Sequence, residues 1–140
     1  MATGLNTNKV LVGGLLAGIV FFVGDFLLMA TVMEDSMREM ASAHNLTINE
    51  SSGAMAAWVV NDLVYGVLVV WVYAAIRPRF GAGVRTAVYA SVAVWAAFML
   101  TMAGFSAMGL FSTGVFLTIG LLWFVVVAVG TIAGAWAYKE

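Results

Sequence analysis

Four long apolar stretches, separated by short polar segments, make up most of the chain. They run over about residues 10–33, 54–76, 84–110 and 113–138. Each one exceeds the roughly 20 residues that a helix needs to cross a hydrocarbon core of about 30 Å. The pattern predicts a single all-α domain over residues 1–140, an antiparallel bundle of four transmembrane helices with an outer loop at residues 34–53.

Polar and helix-breaking residues predict where these helices begin and end. Asn6 precedes the first span and Ser51 the second, and such side chains cap helix N-termini. Because the residue before a proline is disfavoured in the α region, we expect the second helix to end at Pro78. Ser112 and Thr113 form the only polar pair between the last two spans, which predicts a tight hairpin there.

The outer loop contains a helical pattern of its own. Met33, Met37, Met40 and His44 recur at helical spacing. We therefore expect the first helix to continue beyond the membrane before residues 46–53 turn the chain back.

A weak repeat relates the two halves of the chain. Trp71 and Tyr73 end the second span, and Trp136 and Tyr138 end the fourth. The repeat suggests two tandem helical hairpins related by an axis along the membrane normal. Alternatively, these aromatic residues recur because they belong to a belt at the membrane interface.

Composition and charge indicate a membrane protein and its orientation. Hydrophobic residues make up 64% and charged residues 9% of the chain, against roughly 25% charged residues in soluble domains. The first apolar run is too long for a signal peptide, so we expect it to be retained. Five of the six basic residues fall at the N-terminus, the second connection and the C-terminus: Lys9, Arg77, Arg79, Arg85 and Lys139.

The positive-inside rule then predicts an inner-membrane protein with both termini cytoplasmic, Arg38 lying alone on the other side. Little chain remains for a soluble catalytic domain, so we expect no enzyme and no nucleic-acid partner. There is no cysteine, His44 is the only histidine, and no lysine lies within a span. These absences exclude thiolate metal sites, a bis-histidine haem and a retinal Schiff base within one chain, and we expect no cofactor.

Two aspartates, Asp25 and Asp62, interrupt the apolar spans. Asp25 lies 16 residues after Lys9 and Asp62 lies 15 before Arg77, so at about 1.5 Å per residue we expect equal depths. A charge there costs about 2.5–3.5 kcal/mol on insertion scales and normally faces protein or water. We therefore expect the two carboxyls to face each other or a shared cavity.

The polar site predicted around this pair includes Asn61 and Thr101. Two carboxyls in a medium of low dielectric cannot both ionise cheaply, so the pair is expected to share a proton. A proton relay or a cation site would use this property. Alternatively, protonated carboxyls hydrogen-bond to Thr101 or to each other as structural contacts, worth on the order of 1 kcal/mol.

Small residues predict close helix packing. Gly14 and Gly18 share a stripe with Asp25 on the first helix, and Gly130 and Gly134 repeat the spacing on the fourth. The second pair is expected to pack either within the bundle or between protomers.

A methionine stripe suggests a metal site or simple packing. Met33, Met37 and Met40 precede His44, and thioethers favour Cu(I). Methionine is also a flexible packing residue, and packing alone produces a stripe at helical spacing. Packing is the favoured interpretation.

Three segments carry a resemblance: KVLVGGLLAG at residues 9–18, WVYAAIRPRFG at 71–81 and AGAWAYKE at 133–140. With them, the chain resembles a group of small uncharacterised bacterial four-helix membrane proteins over nearly its whole length. Such proteins often have an acidic residue after a glycine in the first helix, as in Gly24-Asp25. The resemblance implies the fold and brings no function.

The sequence leaves two functions open and favours the first. The first is a structural or assembly module, acting as a homo-oligomer or as a subunit of a larger membrane complex. The second is a small proton- or cation-coupled transporter that uses Asp25 and Asp62. Outward-facing glycine stripes and a dry carboxyl pair would indicate the first, and a crevice reaching the pair would indicate the second.

Overall fold

The structure, a computed structural model, describes residues 5–138, in which the regular elements are all helical. They are α1 (Thr7–Leu28), a π-helical turn (Met29–Met33), α2 (Glu34–Ala43), α3 (Ser52–Phe80), α4 (Val84–Ala107) and α5 (Thr113–Ala137). Four stretches are long and apolar enough to cross a membrane: α1 continued through α2, then α3, α4 and α5. The prediction of an all-α membrane protein is confirmed at this level.

Three helices begin at the polar residues that precede them. The side-chain oxygens of Asn6, Ser51 and Ser112 each accept a hydrogen bond from the backbone N–H three residues further on. Each bond satisfies one of the free donors of a helix N-terminus, and such a cap is typically worth about 1 kcal/mol.

The prediction that α3 ends at Pro78 was wrong. The helix continues through the proline to Phe80 and ends at Gly81, which has a φ of 84°. Proline removes only one intrahelical donor, and nearby groups satisfy the last carbonyls. The Thr86 hydroxyl donates to the carbonyl of Gly81 at 2.7 Å, and the Gly81 N–H donates to the carbonyl of Arg77 at 2.8 Å.

The first helix does continue past Met33, as far as Ala43. Together α1, the π-turn and α2 cover 37 residues. At about 1.5 Å per residue they are roughly 55 Å long, whereas the hydrocarbon core is about 30 Å thick. The helix is therefore longer than one crossing of a bilayer requires.

Helices α1 and α3 meet through backbone contacts at glycines. A Cβ placed on Gly14 would lie 2.5 Å from Cα of Val67, and one on Gly18 would lie 2.6 Å from Cα of Leu63. Gly66 faces the backbone of both glycines of α1. Since the residue numbers run in opposite directions, the two helices are antiparallel along this seam.

Helices α1 and α5 form a second glycine seam. Gly134 lies against the carbonyl of Gly13, and Gly130 lies against the ring of Phe21 and the carbonyl of Ala17. Phe21 is only 1% exposed. The structure therefore places Gly130 and Gly134 in packing within the chain, and they are not free to form a seam between protomers.

Helix α4 packs against α3 and α5. The Tyr73 hydroxyl accepts from the Gly83 N–H at 3.2 Å, and Trp95 Nε1 donates to the Gly120 carbonyl at 2.8 Å. We call the end of the molecule with the 44–51 and 108–112 connections the loop end. The opposite end, with the 81–83 turn and Tyr138, is the terminal end.

Candidate functional site

Asp25 has a specific partner on another helix. Trp123 Nε1 on α5 donates to Asp25 Oδ1 at 2.8 Å. The two residues are 98 positions apart in the chain, and Asp25 is half-buried. An indole N–H within a bilayer needs an acceptor, and this carboxylate oxygen provides one.

Asp62 is the more deeply buried of the two carboxyls. Its side chain is only 3% exposed and hydrogen-bonds to Asn61. Among the residues that the structure describes, Asp62 Oδ2 is the one buried side-chain oxygen or nitrogen without a hydrogen-bond partner. Leaving such an atom unpaired costs about 1–3 kcal/mol by mutational data, so it marks a point where a proton or cation would be favoured.

The two carboxyls are attached at different levels along the helices, so the prediction that they share one depth was wrong. The carbonyl of Asp62 lies beside Gly18, and Asp25 is seven residues further along α1, roughly 10 Å at the helical rise. The estimate from the basic residues failed because α3 extends past the start of α1. By the register of the α1–α3 seam, Arg77 lies beyond the level of Lys9.

Side-chain direction partly closes this offset. Helical side chains lean toward the N-terminus of their own helix. Since α1 and α3 are antiparallel, Asp25 leans toward the level of Asp62 and Asp62 leans toward the level of Asp25. The two carboxyls consequently interact electrostatically, although no hydrogen bond joins them directly among the contacts of the described residues.

Aromatic side chains from all four long helices surround the pair. The Tyr65 ring packs edge-on against Phe21 and Trp123, with centroids 6.4 and 5.4 Å away. Phe98 lies 4.2 Å from Trp123. On the terminal side of this cluster, the glycine seams bring the helix backbones into direct contact.

A crevice of about 360 Å³ opens at the loop end. Phe98 lines it and contacts Trp123, the partner of Asp25. Trp58 also lines it and lies one helical turn before Asp62. Neither carboxyl lines the crevice, but Phe98 and Trp58 place its wall near the pair. We call it the methionine crevice, after five of its lining residues: Met33, Met37, Met40, Met99 and Met102.

The π-turn explains how α2 lines this crevice. In an unbroken α-helix, at about 100° per residue, four side chains would lie about 60–120° round the axis from Asp25: Met33, Met37, Met40 and His44. A π-turn takes about one extra residue and rotates the remainder of the helix by about 100°. The four side chains then fall within about 40° of Asp25, and all four line the crevice.

The structure does not bring Thr101 to this site. Thr101 is exposed, and its hydroxyl donates to the carbonyl of Ala97 on its own helix at 3.2 Å. The expected hydrogen bond to the aspartates is therefore not formed. The side chain of Asn61 does hydrogen-bond to Asp62, but Asn61 is exposed on the outside of the molecule.

Sequence reasoning missed Trp123, Tyr65 and Phe98. The available signal was Trp123, because an indole N–H near the middle of an apolar span requires an acceptor and the chain offers few within the bilayer. Tyr65 carried a weaker signal, as the residue one turn after Asp62. Phe98 had none beyond its hydrophobicity.

No family model, curated protein or solved structure matches this chain. What the site does is therefore inferred from its own geometry.

Proposed function

We propose that the chain is an antiparallel four-helix transmembrane bundle in a bacterial inner membrane, with both termini cytoplasmic. Charge supports this orientation. The terminal end has three arginines, Arg77, Arg79 and Arg85, and the loop end has one, Arg38, which is paired with Glu34 at 2.9 Å. Cytoplasmic loops carry the excess of basic residues in membrane proteins.

Within this bundle we propose a proton- or cation-coupled transport function, with Asp25 and Asp62 as the binding groups. The observation that carries the proposal is the unpartnered Oδ2 of Asp62 on a side chain only 3% exposed. A buried carboxylate with an unpaired oxygen inside a bilayer is stabilised by a bound proton or cation. Asp25, nearer the crevice, would exchange that ion with the loop side.

The arrangement of open and closed regions supports the same function. The methionine crevice lies on the loop side of the carboxyls, and on their other side the glycine seams bring the helix backbones into contact. A site with a cavity on one side and helix backbones in contact on the other has the form of one state of an alternating-access cycle. The glycine stripes face inward, which removes the main support for a purely structural module.

Ion flux through reconstituted protein tests this proposal. Proteoliposomes with an internal pH dye are given gradients of protons, Na⁺, K⁺ or Cu(I), and proton movement is recorded. We expect Asp62→Asn to abolish the coupled flux, because an amide keeps the shape but cannot take up a proton. Asp35→Asn, an exposed site on α2, is the matched control and should leave the flux intact.

The proposal fails if Asp25→Asn and Asp62→Asn together leave every flux unchanged and also raise thermal stability. The carboxyls would then be structural, and their replacement would simply relieve a desolvation cost.

One observation favours the assembly module as a second candidate. Asn61 is exposed at mid-helix between the outward-facing Val60 and Val64, which are 57% and 62% exposed. Its amide hydrogen-bonds to Asp62, and the polar groups that this bond leaves over on a lipid-facing surface favour association with a second copy or another membrane subunit. Asn61→Val should then reduce oligomer mass by light scattering in mild detergent, and an unchanged mass would exclude this surface.

A further inference from the structure

We infer that the methionine crevice binds a soft monovalent metal ion, Cu(I). Of the eight methionines in the part of the chain that the structure describes, five line it, together with His44. The inference builds on the proposed function by naming a class of cation. Its test measures binding rather than transport, so either proposal can fail without the other.

The donors come from two sides of the cavity. Met33, Met37 and Met40 extend from the π-turn and α2, and two more methionines, Met99 and Met102, come from α4. Thioether sulfur is a soft, neutral ligand that selects Cu(I) over harder ions.

Packing alone does not account for this cluster. Methionine commonly fills irregular gaps in apolar cores, but here the methionines line about 360 Å³ of open space. The sulfur of Met99 packs onto α5 at Gly120, where a Cβ would lie 3.0 Å from it. The glycine therefore makes room for the thioether of Met99, a residue that lines the crevice.

The nitrogen and oxygen groups of the crevice point to a monovalent rather than a divalent ion. Within the described part of the chain, no three histidine, aspartate or glutamate side chains are placed to hold a metal. The crevice has His44 as a nitrogen donor and Glu39 as its one carboxylate. One negative charge beside neutral thioethers matches a single positive charge.

The π-turn is a second observation at the same place. It ends at Met33 and rotates the donors of α2 onto the inward face of the helix, the face that also carries Asp25. Single π-turns inside α-helices are rare and are frequent at functional sites. An unbroken α-helix would have been the default and would have directed these donors elsewhere.

Competition for Cu(I) tests the site directly. The purified full-length protein is titrated anaerobically against the chromogenic chelator bicinchoninate, and we expect one Cu(I) per chain. The variant Met37→Leu/Met40→Leu/Met99→Leu should bind more than about tenfold more weakly, since loss of even an outer partner of a metal ligand costs about 10–100-fold.

The matched control is Met29→Leu/Met55→Leu/Met108→Leu, which changes three methionines outside the crevice and should bind as the wild type does. Leucine for methionine nearly conserves volume, and melting curves establish that both variants fold. X-ray absorption of the wild-type complex needs no variant and should show at least two sulfur ligands. Failure to compete with the chelator, equal losses in both triple variants, or a shell of oxygen alone would overturn the inference.

Discussion

At the scale of single residues, the two aspartates differ in what surrounds them. Asp25 has a hydrogen-bond donor from another helix, while Asp62 keeps one oxygen unpaired in a nearly inaccessible position. The first arrangement fixes a carboxyl in place, and the second favours uptake of a positive charge. The pair thus combines Asp25, which is held by a hydrogen bond nearer the loop end, with Asp62, which is more deeply buried.

Removing the indole donor should destabilise the fold. Trp123→Phe keeps the aromatic packing but leaves Asp25 Oδ1 without its partner, and we expect a loss of about 1–2 kcal/mol, near the upper end for hydrogen bonds within membranes. Reversible unfolding in mixed detergent measures it. Trp71→Phe, at a residue that is 50% exposed, is the control; equal losses in the two variants would show that the bond contributes nothing.

At the scale of helices, two structural features position the site: the glycine seams and the π-turn. The seams bring α1 within backbone contact of α3 and α5, and so hold Asp62 beside α1. The π-turn then changes which face of the continuing helix points inward. Only the seams were visible in the sequence, as pairs of glycines four residues apart.

The seam between α1 and α3 should not tolerate a methyl group. A Cβ at Gly66 would overlap the carbonyl of Gly14 and the backbone of Gly18, so Gly66→Ala is expected to cost about 1–3 kcal/mol or more by overpacking. Gly104→Ala is the opposite case, because nothing lies within 4 Å of its Cβ position. It should stabilise the helix by up to about 1 kcal/mol. Thermal melting of both variants in one detergent gives the comparison, and melting shifts of the same sign would contradict this packing.

Deleting Ala30 should convert the π-turn to α-helix. Ala30 is exposed, and removing one residue takes away the extra residue that a π-turn accommodates. We expect unchanged helix content by circular dichroism but loss of Cu(I) binding, because the α2 donors rotate away by about 100°. Ala30→Val, which keeps the length, should bind normally. Binding that survives the deletion would show that the π-turn does not position these donors.

At the scale of the whole molecule, apolar length predicted the four spans and charge predicted an orientation. The position of the carboxyls along the bilayer was not predictable in the same way. It depended on how far α3 extends past the start of α1, and hence on glycine contacts between helices rather than on distance from basic residues. Trp123 and the rotation of α2 likewise arise from contacts between segments far apart in the chain.

The orientation can be tested with single cysteines, because the chain has none of its own. Ser42→Cys lies at the loop end and Ala82→Cys in the turn at the terminal end, and both positions are exposed. In intact cells, a maleimide that does not cross the inner membrane should label Ser42→Cys and leave Ala82→Cys unlabelled until the cells are broken. The reverse pattern would place both termini outside.

The central claim is that the buried carboxyl pair holds an exchangeable positive charge. Infrared spectroscopy of the reconstituted protein measures this directly, through the C=O stretch of a protonated carboxyl. At neutral pH and without metal, we predict that the wild type shows this band, that the band shifts in heavy water, and that it disappears in the variant Asp25→Asn/Asp62→Asn. A wild-type spectrum without the band, or a band that the double variant retains, would contradict the account.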